Sequence, residues 1–269
     1  MEKIGLLAGI GRLPVECAVA AKSLGYEVYA VGLVPGVDED LKACTAGYKD
    51  ISIAQLQSVI DYLKENDIKK VTMLGKVTKE ILYSGQHVQP DLRMLSLIFT
   101  LPDRRDDTLM LSFVAELAKD GLEALDQTAL IKPLMPEKGI LTKRQPTDAE
   151  IKDMRFGMEM AREIGRLDIG QTAVVKQLGV MALEAIEGTD ACIRRGGELA
   201  RGGAVVAKVA KPNQDFRFDV PAVGTTTMES MIAVGAKALV IEAGRTLLVD
   251  RKKVIELADA NDITIAVME

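Results

Sequence analysis

The first half of the chain alternates short apolar runs with longer segments in which apolar residues recur every three or four positions. The apolar runs predict strands over Lys3–Ala8, Glu27–Leu33 and Lys70–Leu74. The periodic segments predict helices over Leu13–Ser23, Ile53–Glu65 and about Asp107–Lys119. Because the connections are short, this alternation predicts an α/β fold whose parallel sheet is covered by helices on both faces.

The pattern stops between residues 126 and 144, where two prolines and a glycine interrupt it. Breaker residues of this kind mark turns and the boundaries between compact domains. We therefore expect an N-terminal domain over residues 1–130 and a C-terminal domain over residues 131–269.

The second half has a different pattern. Between residues 172 and 186, two apolar arms flank Lys176–Gly179, which is typical of a β-hairpin. The other predicted helices are Asp148–Ile164 and Thr226–Ala236. The other predicted strands are Ala204–Val209, Asp215–Val220, Ala238–Glu242 and Thr246–Val249.

Composition narrows the function. With 269 residues, 48% of them hydrophobic and 27% charged, the chain resembles a soluble globular protein of one or two domains. Its net charge of -5 and its pI near 5.2 argue against a nucleic-acid-binding protein, which needs a basic surface. Any positive surface must therefore be confined to a small pocket.

Cysteine and histidine are scarce. The three cysteines lack CxxC spacing, which indicates a reducing compartment and no structural zinc. The one histidine, His87, leaves little room for metal-imidazole or Ser-His-Asp chemistry. A metal, if used, should be a hard cation such as Mg²⁺ or Mn²⁺, held by carboxylates and phosphate.

The hydropathy pattern along the chain indicates in which cellular compartment the protein works. The apolar N-terminal run soon meets charged residues, which is unlike a signal peptide. No apolar run approaches the roughly 20 residues that span a bilayer. We therefore expect a cytoplasmic protein, and peripheral contact with a membrane stays open.

The stretch GLLAGIGRLP, residues 5–14, places Gly9 and Gly11 where a strand turns into a helix. Such a turn lets backbone N–H groups approach a phosphate at a helix N-terminus. The full dinucleotide fingerprint is missing, because Pro14 replaces its third glycine and no acidic residue follows at the required distance. The glycines therefore serve either chain geometry alone or a nucleotide-phosphate or sugar contact.

The stretch MLGKVTKE, residues 73–80, follows the third predicted strand, where open α/β sheets bind their ligands. Lys76 and Thr78 are candidate substrate contacts there. The alternative is that Lys76 is an ordinary solvated loop lysine.

The stretch DRRDDT, residues 103–108, precedes an apolar helix. Asp106 or Asp107 suits a helix N-cap, which stabilises a helix by roughly 1 kcal/mol. A metal or substrate role for this pair of carboxylates is the alternative.

The stretch EGTDACIRRGG, residues 187–197, brings Thr189, Asp190 and Arg194 close together before a glycine pair that we expect to be flexible. A hydroxyl, a carboxylate and a guanidinium suit a phosphate or Mg²⁺-phosphate site. A solvated turn that caps a helix is an equal alternative.

The stretch KPNQDFRFDVPAVG, residues 211–224, holds the densest polar chemistry. As a strand, it places Asp215, Arg217 and Asp219 on one face about 7 Å apart, with two phenylalanines behind them. The polar residues that precede this row are Lys208, Lys211 and Gln214. A rigid row of charges on a packed strand suits a functional site, whereas an exposed strand with surface ion pairs of at most about 1 kcal/mol is the alternative.

Three stretches together resemble the UDP-2,3-diacylglucosamine pyrophosphatases of the LpxI type, which act in lipid A biosynthesis in Gram-negative bacteria. They are GLLAGIGRLP, GQTAVVKQLGVMALEAIEGTDACIRRGG and KVAKPNQDFRFDVPAVGTTT. The resemblance runs along nearly the whole chain and depends on the order and spacing of the three stretches.

The resemblance implies a Rossmann-like N-terminal domain, a C-terminal α/β domain of distinct topology and an active site in the cleft between them. It implies Mg²⁺-dependent hydrolysis of UDP-2,3-diacylglucosamine to UMP and 2,3-diacylglucosamine 1-phosphate. An essential aspartate is implied in QDFRFD, where Asp215 and Asp219 both stay open, with Asp215 preferred. Both are expected to be catalytic and to hold the metal.

The resemblance also adds Gln171 and Thr172, which open the middle stretch, to the expected substrate contacts. A lipid-linked nucleotide sugar as substrate implies peripheral contact with the inner membrane. The oligomeric state stays open, a homodimer included. Two rival functions are a non-catalytic nucleotide-sugar binding protein and a nicotinamide-dependent oxidoreductase, the latter weakened by the missing acidic ribose ligand.

Overall fold

The computed structural model describes residues 1–77, 89–103 and 106–269, without the side chains of Asp106, Asp107 and Pro133. The contacts within the chain divide it into two compact units. The first unit is Met1–Ile131 together with Phe216–Phe218, and the second is Lys132–Asp215 together with Asp219–Glu269.

The first unit holds a five-stranded sheet with helices. Its strands are β1 (Glu2–Ala8), β2 (Tyr26–Gly32), β3 (Gly47–Asp50), β4 (Lys70–Leu74) and β5 (Glu123–Ala124). Its described helices are α1 (Leu13–Ser23), α2 (Asp40–Cys44), α3 (Leu56–Glu65), α4 (Leu92–Thr100), α5 (Asp106–Lys119) and α6 (Thr128–Ile131).

All neighbouring strands of this sheet are parallel, in the order β3-β2-β1-β4-β5. The predicted parallel sheet is confirmed. The chain runs outward from β1 to β3 and then returns to place β4 on the other side of β1. In open α/β sheets, ligands bind outside the carboxyl ends of the strands at such a reversal.

The pattern of buried residues explains why these strands and helices form. Strand β1 is buried from Ile4 to Ala8, and continuous apolar runs are typical of central parallel strands. Helix α3 buries a stripe at i, i+3, i+4 and i+7, formed by Leu56, Val59, Ile60 and Leu63. It begins later than predicted, because the Ile53 amide donates to the Leu33 carbonyl at 2.9 Å and so holds residue 53 beside the end of β2.

The second unit holds two further sheets. Its strands are β6 (Gly139–Ile140), β7 (Thr172–Lys176), β8 (Gly179–Leu183), β9 (Val205–Lys208), β10 (Ala222–Val223), β11 (Ala238–Glu242), β12 (Leu247–Leu248) and β13 (Thr264–Met268). A short 3₁₀ helix (Lys132–Leu134) precedes the α-helices α7 (Asp148–Arg166), α8 (Thr189–Ala200), α9 (Thr225–Ala233) and α10 (Arg251–Ala260). Among the helices of both units, as far as the chain is described, none is long and apolar enough to cross a membrane.

The larger sheet of this unit has the order β6-β13-β11-β9-β7-β8, and β10 pairs with β12 separately. Strands β13, β11 and β9 are parallel, whereas β6 and β7 run antiparallel to them. Helix α7 packs on one face through Met154, Met158 and Ala161. Residues of α8, α9 and α10 pack with the alternate strand residues on the other face.

The predicted hairpin between β7 and β8 is confirmed, and its turn has an unusual sequence. Gln177 and Leu178 both have positive φ, at 52° and 59°, where Asn-Gly is the usual choice. The Asp153 carboxylate in α7 accepts from the amides of Gln177 and Leu178 at 2.8 and 2.7 Å. These two bonds stabilise a turn that its own residues disfavour.

The predicted strand over Asp215–Val220 is wrong, because this segment forms turns. The Asp219 amide donates to the Asp215 carbonyl at 3.0 Å, which closes a five-residue turn. Prolines at 212 and 221 bracket the segment, and proline lacks the N–H that a central strand donates. Asp215, Arg217 and Asp219 therefore do not share one face of a strand.

The expectation of a flexible glycine pair is also wrong, since Gly196 and Gly197 lie inside α8. A Cβ at Gly196 would lie 2.6 Å from Cβ of Val174 in β7, and one at Gly197 would lie 2.1 Å from Cγ2 of Val234. The two glycines let α8 approach β7 and the end of α9 closely.

We expect Gly197→Ala to lower the free energy of unfolding by about 2 kcal/mol, because the new methyl group overlaps Val234. The matched control is Gly165→Ala in α7, where the nearest atom to the new Cβ would be 3.4 Å away. This control should leave the free energy of unfolding unchanged or raise it by up to about 1 kcal/mol, because alanine favours helices. Urea unfolding of both variants checks this, and wild-type stability of Gly197→Ala would contradict the packing argument.

Two of the three cysteines should be inert in the folded chain. Burial raises the pKa of Cys17 and of Cys192 to about 12, so almost no reactive thiolate forms at pH 8. Cys44, at the end of α2, is half-buried. We expect iodoacetamide to modify Cys44 in the native protein and the other two only after unfolding. Peptide mass spectrometry reads this out, and native labelling of Cys192 would refute it.

Candidate functional site

A buried lysine marks the candidate site in the second unit. Lys208 ends β9, and Thr172 lies opposite it at the start of β7. Glu184 follows the end of β8, and Thr189 begins α8. Four elements thus bring these residues to one edge of the sheet, and we call Thr172, Glu184, Thr189 and Lys208 the Lys208 cluster.

Hydrogen bonds connect this cluster. Lys208 Nζ donates to Thr189 Oγ1 at 3.1 Å and to the Ala222 carbonyl at 2.9 Å. Thr189 Oγ1 in turn donates to Glu184 Oε1 at 2.9 Å and lies 3.5 Å from Thr172 Oγ1. The other Glu184 oxygen accepts from the Gln171 amide at 3.3 Å.

Burial and charge define the electrostatics of the cluster. Lys208 is 7% exposed, Glu184 is 8% exposed and Thr172 is fully buried. Burial lowers the pKa of Lys208 below its usual value, and the carboxylates of Glu184, Asp190 and Asp219 oppose that shift. These three carboxylates therefore favour the charged form of the Lys208 side chain.

The loop after β9 is fixed by Gln214. Its Oε1 accepts from the Lys211 amide at 2.8 Å, and its amide nitrogen donates to the Asp219 carboxylate. The Asp219 amide donates to the Asp215 carbonyl at 3.0 Å. This loop therefore holds the Asp219 carboxylate within the electrostatic reach of Lys208.

The structure also describes three other predicted contacts, Lys211, Arg194 and Arg217. Lys211 Nζ forms an ion pair with Asp168 at 2.7 Å. Arg194 is exposed on α8. Arg217 belongs with Phe216–Phe218 to the first unit, where the Phe216 carbonyl accepts from the amide of Gln127.

The first unit places Gly9 and Gly11 after β1 and Lys76 after β4, at the two strands where the sheet order reverses. The loops pair directly, since the amides of Ile10 and Lys76 each donate to the other's carbonyl at 2.9 and 2.8 Å. A Cβ at Gly9 would lie 2.6 Å from the carbonyl oxygen of Lys76. This close approach explains why a side chain does not fit at residue 9, independently of any ligand contact of its backbone.

Some predicted residues lie outside what the structure describes. Thr78 and His87 fall between the described ranges, as do the side chains of Asp106 and Asp107. The two aspartates are the first two residues of α5 (Asp106–Lys119).

The oxygen donors near Lys208 are of the type that Mg²⁺ takes, although the described residues form no closed metal cage. Within the described ranges, no three His, Cys, Asp or Glu side chains are grouped to hold a metal. Two buried oxygens next to the cluster, Gln171 Oε1 and Asp190 Oδ1, have no hydrogen-bond partner among the described residues. Mg²⁺ prefers oxygen ligands and often uses one or two carboxylates plus substrate phosphates.

Sequence reasoning missed Glu184 and the carbonyl of Ala222. Glu184 directly follows an apolar strand arm and precedes the predicted Thr189 and Asp190 by a few residues. An acidic residue at a strand end, close to a candidate phosphate motif, was the available signal. Its contact with Gln171 crosses the hairpin and cannot be seen from local spacing.

Two comparisons are distant. The bifunctional purine biosynthesis protein PurH of Rhizobium rhizogenes is 25% identical over 193 residues, which is 65% of this chain and 34% of that protein. The solved structure of glycinamide-RNase-transformylase T from Mycobacterium tuberculosis covers 53% of this chain and 38% of its own, at 13% identity. Its TM-score of 0.27 is too low to carry an argument.

Stronger similarity covers nearly the whole chain. UDP-2,3-diacylglucosamine pyrophosphatase LpxI of Caulobacter vibrioides is 34% identical over 267 residues, which is 96% of this chain and 95% of that protein. Family models described as the LpxI N-terminal domain and the LpxI C-terminal domain match residues 3–134 and 137–266. The chain therefore belongs to the LpxI family.

Proposed function

We propose that this chain hydrolyses the pyrophosphate of UDP-2,3-diacylglucosamine to UMP and 2,3-diacylglucosamine 1-phosphate, a reaction of lipid A biosynthesis. The observation that carries the proposal is the buried Lys208 ammonium, held by a hydroxyl and a carbonyl inside the C-terminal LpxI domain. The Caulobacter relative is named for this activity. Water adds across the P–O–P bridge, so one product takes the hydroxyl and the other the proton.

Lys208 stabilises the phosphoryl group in this proposal. An ammonium has three N–H donors, and Thr189 Oγ1 and the Ala222 carbonyl accept from two of them. The third N–H donates to a non-bridging phosphoryl oxygen, where negative charge must be stabilised in the transition state. Thr189 and Asp190 lie in the first turn of α8, whose N-terminus favours an anion.

Asp219 orients the attacking water in this proposal and accepts its proton. Gln214 holds its carboxylate in place. The residues that we propose as further substrate contacts are Gly9, Gly11, Lys76, Thr78, Gln171, Thr172, Arg194, Lys211 and Arg217.

We propose Mg²⁺, or Mn²⁺, as the cofactor, with Asp215 and Asp219 as ligands. Asp190 Oδ1 is a further oxygen of the right type. When bound, the cation neutralises charge on the pyrophosphate oxygens. We base this choice on the donor atoms, because carboxylate oxygens together with substrate phosphates are the ligands that Mg²⁺ usually takes.

We also propose that the chain works at the cytoplasmic face of the inner membrane. Its substrate carries two acyl chains, which partition into a bilayer and keep the headgroup at the surface. Peripheral contact suffices for an enzyme that acts on such a headgroup.

The test is turnover of UDP-2,3-diacylglucosamine with Mg²⁺ and with EDTA, following UMP and the acylated sugar 1-phosphate. Metal-dependent release of both products is expected. Release at the same rate in EDTA would overturn the metal proposal alone. Tight binding without products would favour the non-catalytic nucleotide-sugar binding protein, and absence of binding would overturn the substrate assignment.

A further inference from the structure

We propose that Glu184 is a positioning residue for this hydrolysis, which orients the Thr189 hydroxyl and through it the Lys208 ammonium. The inference rests on the proposed function. Glu184 does not need to touch the substrate in this role, because it acts through Thr189.

The direction of the hydrogen bonds carries the argument. A threonine hydroxyl has one proton to donate, and Thr189 gives it to Glu184 Oε1 at 2.9 Å. The lone pairs of Thr189 Oγ1 are then left to accept from Lys208 Nζ at 3.1 Å. With Ala222 accepting a second N–H at 2.9 Å, the direction of the third Lys208 N–H is fixed.

Glu184 is itself held rigidly. Its Oε2 accepts from the Gln171 amide at 3.3 Å, and its own amide donates to the Thr172 carbonyl at 2.9 Å. The side chain is nine-tenths buried, where an ionised carboxylate is costly unless a cation and hydrogen bonds compensate it. Setting the direction of the Thr189 hydroxyl proton is a specific role for this buried carboxylate.

The chain offers matched variants. Glu184→Gln keeps the size of the side chain but can donate to Thr189 Oγ1, which reverses the hydrogen bond. Thr189→Val removes the hydroxyl, whereas Thr189→Ser keeps it. Glu187→Gln is the control, because Glu187 lies on the same loop and pairs with Arg195 instead.

We expect Glu184→Gln and Thr189→Val to lower kcat about 10- to 100-fold, the effect of a misplaced catalytic group, with KM changed less than about threefold. Thr189→Ser should keep at least about a third of wild-type kcat, and Glu187→Gln all of it. Because Glu184 and Thr189 act in series, the double variant should be no slower than the slower single variant.

Wild-type kcat in Glu184→Gln, or losses that multiply in the double variant, would overturn the proposal. If Thr189→Ser is as slow as Thr189→Val, the hydroxyl has no role and residue 189 acts through packing alone. That result would also overturn the proposal. If Glu184→Gln does not fold, the two Thr189 variants decide.

Failure of the proposed function itself gives a different result, namely a wild-type chain that binds the substrate without releasing products. In that case the dissociation constant for UDP-2,3-diacylglucosamine, from calorimetry, becomes the readout. Binding at least about tenfold weaker in Glu184→Gln than in Glu187→Gln would support the positioning role, as expected for a misdirected charged donor. Equal binding would overturn it.

Discussion

Replacing Lys208 with methionine is expected to lower kcat about 100- to 1,000-fold, the usual effect of removing one charge-stabilising donor. Methionine keeps the length and apolar stem of the side chain but cannot donate to a phosphoryl oxygen. The nearby carboxylates of Glu184, Asp190 and Asp219 also lose their ammonium. The free energy of unfolding should therefore fall by roughly 3 kcal/mol, as when one partner of a buried ion pair is removed.

Lys176→Met is the matched control for this experiment. Lys176 ends β7 at the opposite end from Thr172, and its Nζ donates to the carbonyls of Ala200 and Gly202 at 2.8 and 2.9 Å. Its loss should lower the free energy of unfolding by about 1 kcal/mol and leave kcat unchanged. Steady-state kinetics on folded protein, verified by thermal melting, separate the two effects. A Lys208→Met variant within about threefold of wild-type kcat would show that Lys208 does not serve the reaction.

Much of the fold is predictable because the relevant signals are local. Strands β1, β4 and β11 are buried apolar runs, and their predicted bounds differ from the observed ones by at most one residue. The start of α7 is set by a capping box, in which the Thr147 hydroxyl accepts from the Glu150 amide at 3.2 Å and the Glu150 carboxylate accepts from the Thr147 amide at 2.8 Å. Such signals lie within a few residues and require no knowledge of the rest of the fold.

The segment at 215–220 shows why local pattern fails elsewhere. Six alternating residues satisfy the period of a strand, but a strand also needs a neighbour to pair with. Here Phe216 instead accepts a hydrogen bond from the amide of Gln127, far away in sequence. No alternation of polar and apolar residues encodes that partner.

The candidate site is predictable only in part for the same reason. Lys208 and Thr189 could be named from their polar surroundings in sequence, although they lie on different elements. Their contact with each other, and the contact of Glu184 with both the Thr189 hydroxyl and the Gln171 amide, depends on how β7, β8 and β9 align. Strand register is a property of the folded sheet, so Glu184 was missed.

Asp219→Asn is expected to have the larger effect of the two aspartate variants, lowering kcat about 1,000-fold, within the range for loss of a general base. The family resemblance leads us to prefer Asp215, whereas we now propose Asp219 as the base. The carboxylate of Asp219 accepts from Gln214 and raises the pKa of Lys208, the residue that we propose to bind the phosphoryl group. Asparagine keeps the shape of the side chain and removes its charge and its ability to accept a proton.

The comparison requires Asp215→Asn in parallel, for which we expect a loss at least about tenfold smaller. Asp259→Asn is the control for a general effect of removing an aspartate, because Asp259 lies in α10 and accepts from the amide of Lys143. Single-turnover rates at saturating Mg²⁺ isolate the chemical step from product release. If Asp215→Asn is the slower variant, Asp215 and not Asp219 is the base. The turn that joins the two residues would then position Asp215 as the catalytic group.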